Sequence, residues 1–443
     1  MKGLKILVLL IALISVAACV TISDSSQPHA LTLIYSGNLD GELEPCGCSE
    51  EGDLGGIKRR VNMVDRLRRE TPGLFLISAG GLLISDTPQD RLISEYILKG
   101  LAAMNYDAIG VQWRDLAFGK EYLAQHEIPF VASNMKDNIF RPNKIIKKGQ
   151  NELGFFQWLD PAADPQRQMQ GEHGAASEAI DSLQQDIAIA KQNGATTVLA
   201  STLTLEEAQQ QLPLDDVDIL IIRANYEEYG KPQQISRTLV IQPGSRGMRL
   251  GRLDITTTNN GDIQKWQHRI IALPKSVGDA PRMAAWYEEY NATVKEQYEK
   301  SVVLRKALET GEGPFAGEQQ CHSCHQQEYA AWAKSRHAQA FYTLQDVRKA
   351  FDPNCIICHT VGFDKRGGFI DPDTTPLLMH VQCESCHGAA REHAGSGGVS
   401  PVANADWSNV RICGQCHTQP HSPGFNFDTY WPKIAHGASV ISK

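Results

Sequence analysis

Four copies of one pentapeptide crowd into the last third of this 443-residue chain: Cys321-His322-Ser323-Cys324-His325, Cys355-Ile356-Ile357-Cys358-His359, Cys383-Glu384-Ser385-Cys386-His387 and Cys413-Gly414-Gln415-Cys416-His417. Two thiols three positions apart, followed at once by an imidazole, suit one task. The thiols form thioethers with the two vinyl groups of a porphyrin, and the His lies under the ring as an iron ligand. A single copy fits a redox pair equally well, but four copies, each with its His in place, leave little room for coincidence. Consecutive motifs are about 30 residues apart, too few to build an apolar core of their own, so the porphyrins of four c-type haems are expected to serve as that core.

The histidines agree with this reading. Of the 14 in the chain, ten follow residue 320. His325, His359, His387 and His417 are the proximal ligands. His322, His337, His380, His393, His421 and His436 remain to close the opposite face of most or all four irons.

The length suggests two or more domains. A formal charge of −8 provides no basic footprint, which argues against a nucleic-acid partner. The first residues read as a secretory signal: Lys2 and Lys5 precede an apolar run from Ile6 to Val16, too short to span a bilayer comfortably. The run ends in Val16-Ala17-Ala18-Cys19, which resembles a bacterial lipobox and makes Cys19 the expected lipidation site. Residues 19–29 would then be a tether, and the mature protein an exported, periplasmic or cell-surface lipoprotein. Export suits covalent haem attachment, which in bacteria takes place outside the cytoplasm. Of 11 cysteines, eight belong to the motifs and one to the anchor, leaving Cys46 and Cys48. For that pair three readings stand: a strained, easily reduced disulfide, a soft-metal thiolate site, or a structural pair.

Residues 30–275 alternate short apolar runs with helical spacing. Strands are expected at 31–35, 74–77, 107–111, 129–132, 197–200, 217–222, 238–242 and 249–255, with helices at 57–69, 90–101 and 177–191. Residues 140–172 read as loops. The pattern implies an α/β layered domain.

Its opening, Ser36-Gly37-Asn38-Leu39-Asp40-Gly41-Glu42 and then Gly55-Gly56-Ile57-Lys58-Arg59-Arg60, resembles the calcineurin-like metallophosphoesterases of the 5′-nucleotidase branch. That resemblance implies a layered sandwich with a two-metal hydrolytic centre, but the metal ligands are missing. Asn38 and Asp40 stand where the family has Asp and His. Gly80-Gly81 replaces an Asp-bearing block, Gln112-Trp113-Arg114-Asp115 lacks the Asn and His of the third, and Arg223-Ala224-Asn225-Tyr226 lacks the histidines of the last. Asp40, Glu42 and Asp115 are too few to hold two ions and acidify a bridging water. The domain is expected to be a degenerate scaffold, with nucleotidase activity the weakest of the functional readings.

Residues 276–314 read as a connector built on one long, mostly exposed helix. From Phe315 onward the pattern around Cys321, Tyr329, Trp332, Ser335 and His337, and again at Cys383 to Gly388 with His393, resembles tetrahaem cytochromes of the cytochrome c-554 type. The resemblance implies a mostly α, haem-packed domain over residues 315–443. Together with local spacing it selects His337, His393 and His436 as distal ligands, with His380, His322 and His421 competing for the fourth iron. It also implies an alternative, in which one iron has no distal ligand; the haem of Cys355, Cys358 and His359 is the candidate. Four bis-His irons would make an electron carrier between redox proteins. An open iron would allow reduction or oxidation of a small nitrogen compound.

Overall fold

The structure is a computed structural model and describes residues 29–45, 53–170, 174–222, 231–309, 312–418, 421–422 and 424–436. The signal segment with Cys19, the Cys46/Cys48 pair and Arg223 to Tyr226 lie outside these residues. The chain divides into two units, Met1–Leu43 with Arg60–Leu273, and Glu44–Arg59 with Pro274–Lys443.

The first unit is built on two six-stranded sheets. One runs in the order β12-β11-β1-β2-β3-β4, from β1 (His29–Ser36), β2 (Phe75–Ser78), β3 (Ala108–Gly110), β4 (Phe130–Val131), β11 (Arg249–Thr257) and β12 (Ile263–Ala272). The other runs β5-β6-β7-β8-β10-β9, from β5 (Asn143–Lys148), β6 (Asn151–Trp158), β7 (Thr196–Ser201), β8 (Ile219–Ile221), β9 (Gln233–Ile235) and β10 (Thr238–Ile241). In the first sheet β1 to β4 are parallel, as β-α-β connections require, out to the β4 edge, with antiparallel β11 and β12 on the other side; in the second, parallel β6, β7, β8 and β10 lie between antiparallel β5 and β9. Leu33, Tyr35, Phe75 and Ile77 of the first sheet pack against Leu153, Phe155, Val198 and Ile219 of the second in one apolar layer. The helices α1 (Ile57–Glu70), α2 (Asp90–Met104) and α3 (Asp181–Gln192) cover the outer faces. Leu183, Ile187 and Ala190 of α3 bury against Phe156, Leu199 and Leu220.

The expected strands and helices are present, but residues 140–172 are not the loops that were expected. Residues 143–158 form the β5–β6 hairpin, turning at Gly149, where φ is 62°. β5 hides from an apolar-pattern reading because it is an edge strand. Lys144, Lys147 and Lys148 keep it polar, and among its residues only Ile146 is buried.

The second unit is helical. Its helices are α4 (Ala284–Leu308), α5 (Glu318–His322), α6 (Gln326–Ala333), α7 (Ala340–Asp346), α8 (Pro353–His359), α9 (Cys383–His387), α10 (Arg391–Gly395), α11 (Asn409–Gly414) and α12 (Phe427–Tyr430). Two expectations need correction. First, α4 is mostly exposed, as expected, but it also contributes to the core: Tyr290, Val294, Tyr298 and Val302 form a buried stripe at four-residue intervals. Second, the unit has a protein core of its own. Tyr298 and Val302 join Phe315, Phe341, Ile356, Val361, Phe369 and Leu378 in an apolar cluster. Helices α5, α6 and α10 to α12 contain no buried residue, so these stretches keep the thin protein core expected of a haem-packed segment. Among the described residues no helix is long and apolar enough to cross a membrane.

Candidate haem-binding site

In the second unit, three of the four motif histidines face another imidazole. His325 and His393 lie with ring centroids 6.2 Å apart and planes 21° from parallel. His337 and His417 are 6.2 Å apart, and His387 and His436 are 5.9 Å apart. An imidazole nitrogen binds a metal at about 2 Å, so two rings ligating one ion from opposite sides hold their centroids roughly 6 Å apart.

Hydrogen bonding fixes which nitrogen faces the gap. The Nδ1 atoms of His393 and His436 lie 2.7 and 2.9 Å from the carbonyl oxygens of Ser400 and Ile434. A carbonyl only accepts, so Nδ1 carries the proton and Nε2 keeps its lone pair for iron. His359 is set the same way, donating to the Ala340 carbonyl at 2.6 Å, and the Nδ1 of His417 lies 3.1 Å from the Ser422 hydroxyl. Burial lowers the pKa of His359 and His417. It does the same for His337, reinforced by His417 and His359, and for His387, reinforced by His436, His325 and His393. Neutral imidazole is the ligating form.

His359 has no imidazole opposite it among the described residues. His380, the expected fourth distal ligand, is set differently from the others. The Phe341 N–H donates to its Nδ1 at 3.2 Å, which puts the ring proton on Nε2 and leaves neither nitrogen a lone pair for iron. Tyr342 lies edge-on against the ring at 4.7 Å, and the backbone at His380 is left-handed, with φ 72°. His322 packs on Tyr329 at 4.2 Å. The described contact of His421 is a backbone bond to Thr418.

The cysteines of separate motifs also meet. Cys321 lies within hydrogen-bonding reach of Cys383, and Cys358 of Cys416. Helix α9 of the third motif also packs against helix α5 of the first.

The metal-site loops of the first unit do not fit a two-metal centre. Asp115 is wholly buried and accepts from the N–H groups of Gly81 (2.9 Å), Leu82 (2.6 Å), Leu83 (3.2 Å) and Gln112 (3.0 Å). Asp40 is paired with the Arg114 guanidinium and accepts from the Arg246 N–H at 2.8 Å, while Glu42 is paired with Arg246 Nε at 2.8 Å. Gln112 donates to Asn38 at 3.3 Å. Guanidinium and amide groups satisfy the charges that ions would neutralise. Among the described residues no three His, Cys, Asp or Glu side chains converge to hold a metal.

Residues 320–388 match the family described as cytochrome c554 and c-prime. Cytochrome c-554 of Nitrosomonas europaea is 33% identical over 99 residues, covering 19% of this chain and 42% of that protein. The C-terminal unit carries a cytochrome c554 domain. The chain matches less than half the length of that relative. Among solved structures, the 5′-nucleotidase precursor from Thermus thermophilus superposes with TM-score 0.52 at 17% identity, covering 60% of this chain and 59% of that one. The sulfate thiohydrolase SoxB from the same species gives 0.50 at 14%, covering 59% and 60%. At such identity the likeness is one of fold: the α/β unit has the metallophosphoesterase architecture.

Motif counting misses the residues that hold the cytochrome c554 domain together. Lys349 pairs with Glu44 and lies 3.7 Å from Asp352, which caps α8 through the Asn354 N–H at 3.1 Å. Gln382 accepts from the Glu318 N–H at 3.1 Å and donates to the Leu377 carbonyl at 2.8 Å. Neither belongs to a motif, and no sequence signal marks their partners.

Proposed function

We propose that this protein is an exported, lipid-anchored multihaem cytochrome that passes electrons between redox proteins, with four c-type haems bound at Cys321/Cys324, Cys355/Cys358, Cys383/Cys386 and Cys413/Cys416. Haem iron supplies one-electron exchange. The chain's residues supply the rest. His325 with His393, His387 with His436, and His417 with His337 would hold three of the irons. Carbonyl and hydroxyl acceptors hold the ring tautomers. The observation that carries the reading is the set of three imidazole pairs at 5.9 to 6.2 Å. Bis-His ligation leaves no room for substrate and suits outer-sphere transfer. Net acidity, with two propionates added per haem, fits basic patches on at least one partner. The α/β unit serves as scaffold, and Cys19 as membrane anchor.

A specific observation favours a second reading. His359 faces no second imidazole and His380 is protonated on Nε2, so the iron at the second motif would have one open side. A nitrogen oxide or similar ligand would then bind there and react. The test is the mass and spectrum of the purified protein. Four added haems, three low-spin centres and one high-spin centre that moves with cyanide or nitric oxide are expected. Absence of haem ends the proposal, and four low-spin centres end the second reading.

A further inference from the structure

Glu384 is a buried acid that no ligand set uses. It is the second residue of the third motif, in α9, and is 3% exposed. The matching positions of the other motifs are His322, Ile356 and Gly414, so the charge is peculiar to this one. Three backbone N–H groups point at its carboxylate. Ala316 lies 2.9 and 3.0 Å from the two oxygens, Gly317 donates to Oε2 at 2.8 Å and Ala390 to Oε1 at 2.8 Å. Each oxygen thus receives two contacts from donors, and a proton on either would point at an N–H. Among the described residues no cationic side chain pairs with it.

The donors lie where the first haem site is assembled. Gly317 immediately precedes α5, which carries Cys321, and Ala390 immediately precedes α10, which carries His393. His393 is the ring opposite His325. One side chain of the third motif therefore joins both halves of the first motif's axial pair, at the point where Cys321 meets Cys383. Arg391 tightens the same junction through the carbonyls of Gly313 (2.5 Å) and Phe315 (2.6 Å).

We infer that Glu384 is the positioning residue of the first–third haem pair and that its uncompensated charge selectively lowers the reduction potentials of those two haems. The inference rests on the haem assignment proposed above. The physical reason is simple: reduction adds an electron to a haem, and a buried negative charge nearby, poorly screened by solvent, opposes it. At the second motif the buried Asp352 lies 3.7 Å from Lys349 Nζ, and among the described residues no buried acid lies in the fourth motif.

The test is a spectropotentiometric titration of the full-length holoprotein and its E384Q variant, after mass measurement has shown the haem load. In E384Q two of the four couples are expected to rise, and the low-spin EPR signal of one of those two haems to change as the His325–His393 pair loosens. Four unmoved couples, or four that rise together, overturn the inference. Wild-type protein without haem at the first and third motifs overturns the haem assignment as well, whereas loaded haems with unmoved couples overturn only the role of Glu384. If E384Q is recovered without its haems, E384D carries the test because it keeps the charge. Its two couples are then expected to stay at wild-type values, and a rise in them overturns the inference.

Discussion

Lys349 shows how much one side chain can hold in a small unit. It is buried between the Tyr287 and Tyr290 rings, 5.2 and 5.5 Å from their centroids, and is paired with Glu44, Asn291 and Asp352. Burial works against its charge, but Glu44, Tyr287 and Asp352 outweigh burial and hold its pKa above the usual lysine range. Tyr287, buried and donating to Glu44, is pushed up to about 12. K349M would leave two carboxylates without their cation. Removing one partner of a buried pair costs about 3–5 kcal/mol, and Glu44 is partly exposed, so a loss of roughly 3 kcal/mol is expected. Denaturant unfolding followed by near-UV CD measures it; a loss below about 1 kcal/mol would mean the cluster behaves as a surface pair.

His268 makes a second prediction at the same scale. Burial lowers its pKa, and its Nε2 lies 2.9 Å from the Tyr35 hydroxyl. The folded state favours the neutral ring, so the unfolded state binds more protons below the ordinary value of about 6.5. The stabilising contribution is therefore complete above that value and declines as pH falls through it. The melting temperature of the α/β unit should drop between pH 7.5 and 5.5, and H268Q, which keeps an acceptor for Tyr35, should flatten the slope. An unchanged slope would assign the effect elsewhere.

At the scale of elements, α4 explains why part of the fold is hard to read from sequence. Its buried residues, Tyr290, Val294, Tyr298 and Val302, recur every fourth position and make a stripe one residue wide. The charged residues around them dominate any average, so the helix reads as a spacer. β5 and β12 are hidden for a related reason, since edge strands keep their polar faces. The central strands, buried on both sides, are plain apolar runs and read correctly. The four motifs are legible because covalent chemistry fixes their spacing. His380 is not, since only the fold shows the Phe341 N–H aimed at its Nδ1. Tyr298 tests the importance of the stripe. Its ring is buried and its hydroxyl donates to the Ile370 carbonyl at 3.0 Å. Y298F leaves that carbonyl unpaired and should cost about 1–3 kcal/mol. Y298A removes the ring as well, at about 3–5 kcal/mol. Equal effects of the two variants, or none, in thermal melts would return α4 to the role of a spacer.

At the scale of the whole molecule, an α/β unit with the fold of a 5′-nucleotidase and a cytochrome c554 domain share one chain, and the question is whether the first does phosphoester chemistry. The likeness to a 5′-nucleotidase lies in the path of the backbone. The charges at the corresponding loops argue against hydrolysis. Asp115 is consumed by backbone N–H groups, and Asp40 and Glu42 by guanidinium groups. A site that bound divalent ions would link their concentration to folding. At a hundredfold excess over the dissociation constant, one ion would add about 2.7 kcal/mol. For a unit of this size that is a rise of roughly 5–10 °C. The α/β unit is therefore expected to melt at the same temperature in chelator as in millimolar manganese or zinc, and to release no phosphate from nucleotide esters in either. A metal-dependent rise of several degrees would show that an ion displaces the arginines, and turnover accompanying it would restore a hydrolytic role to a domain whose own side chains now occupy that place.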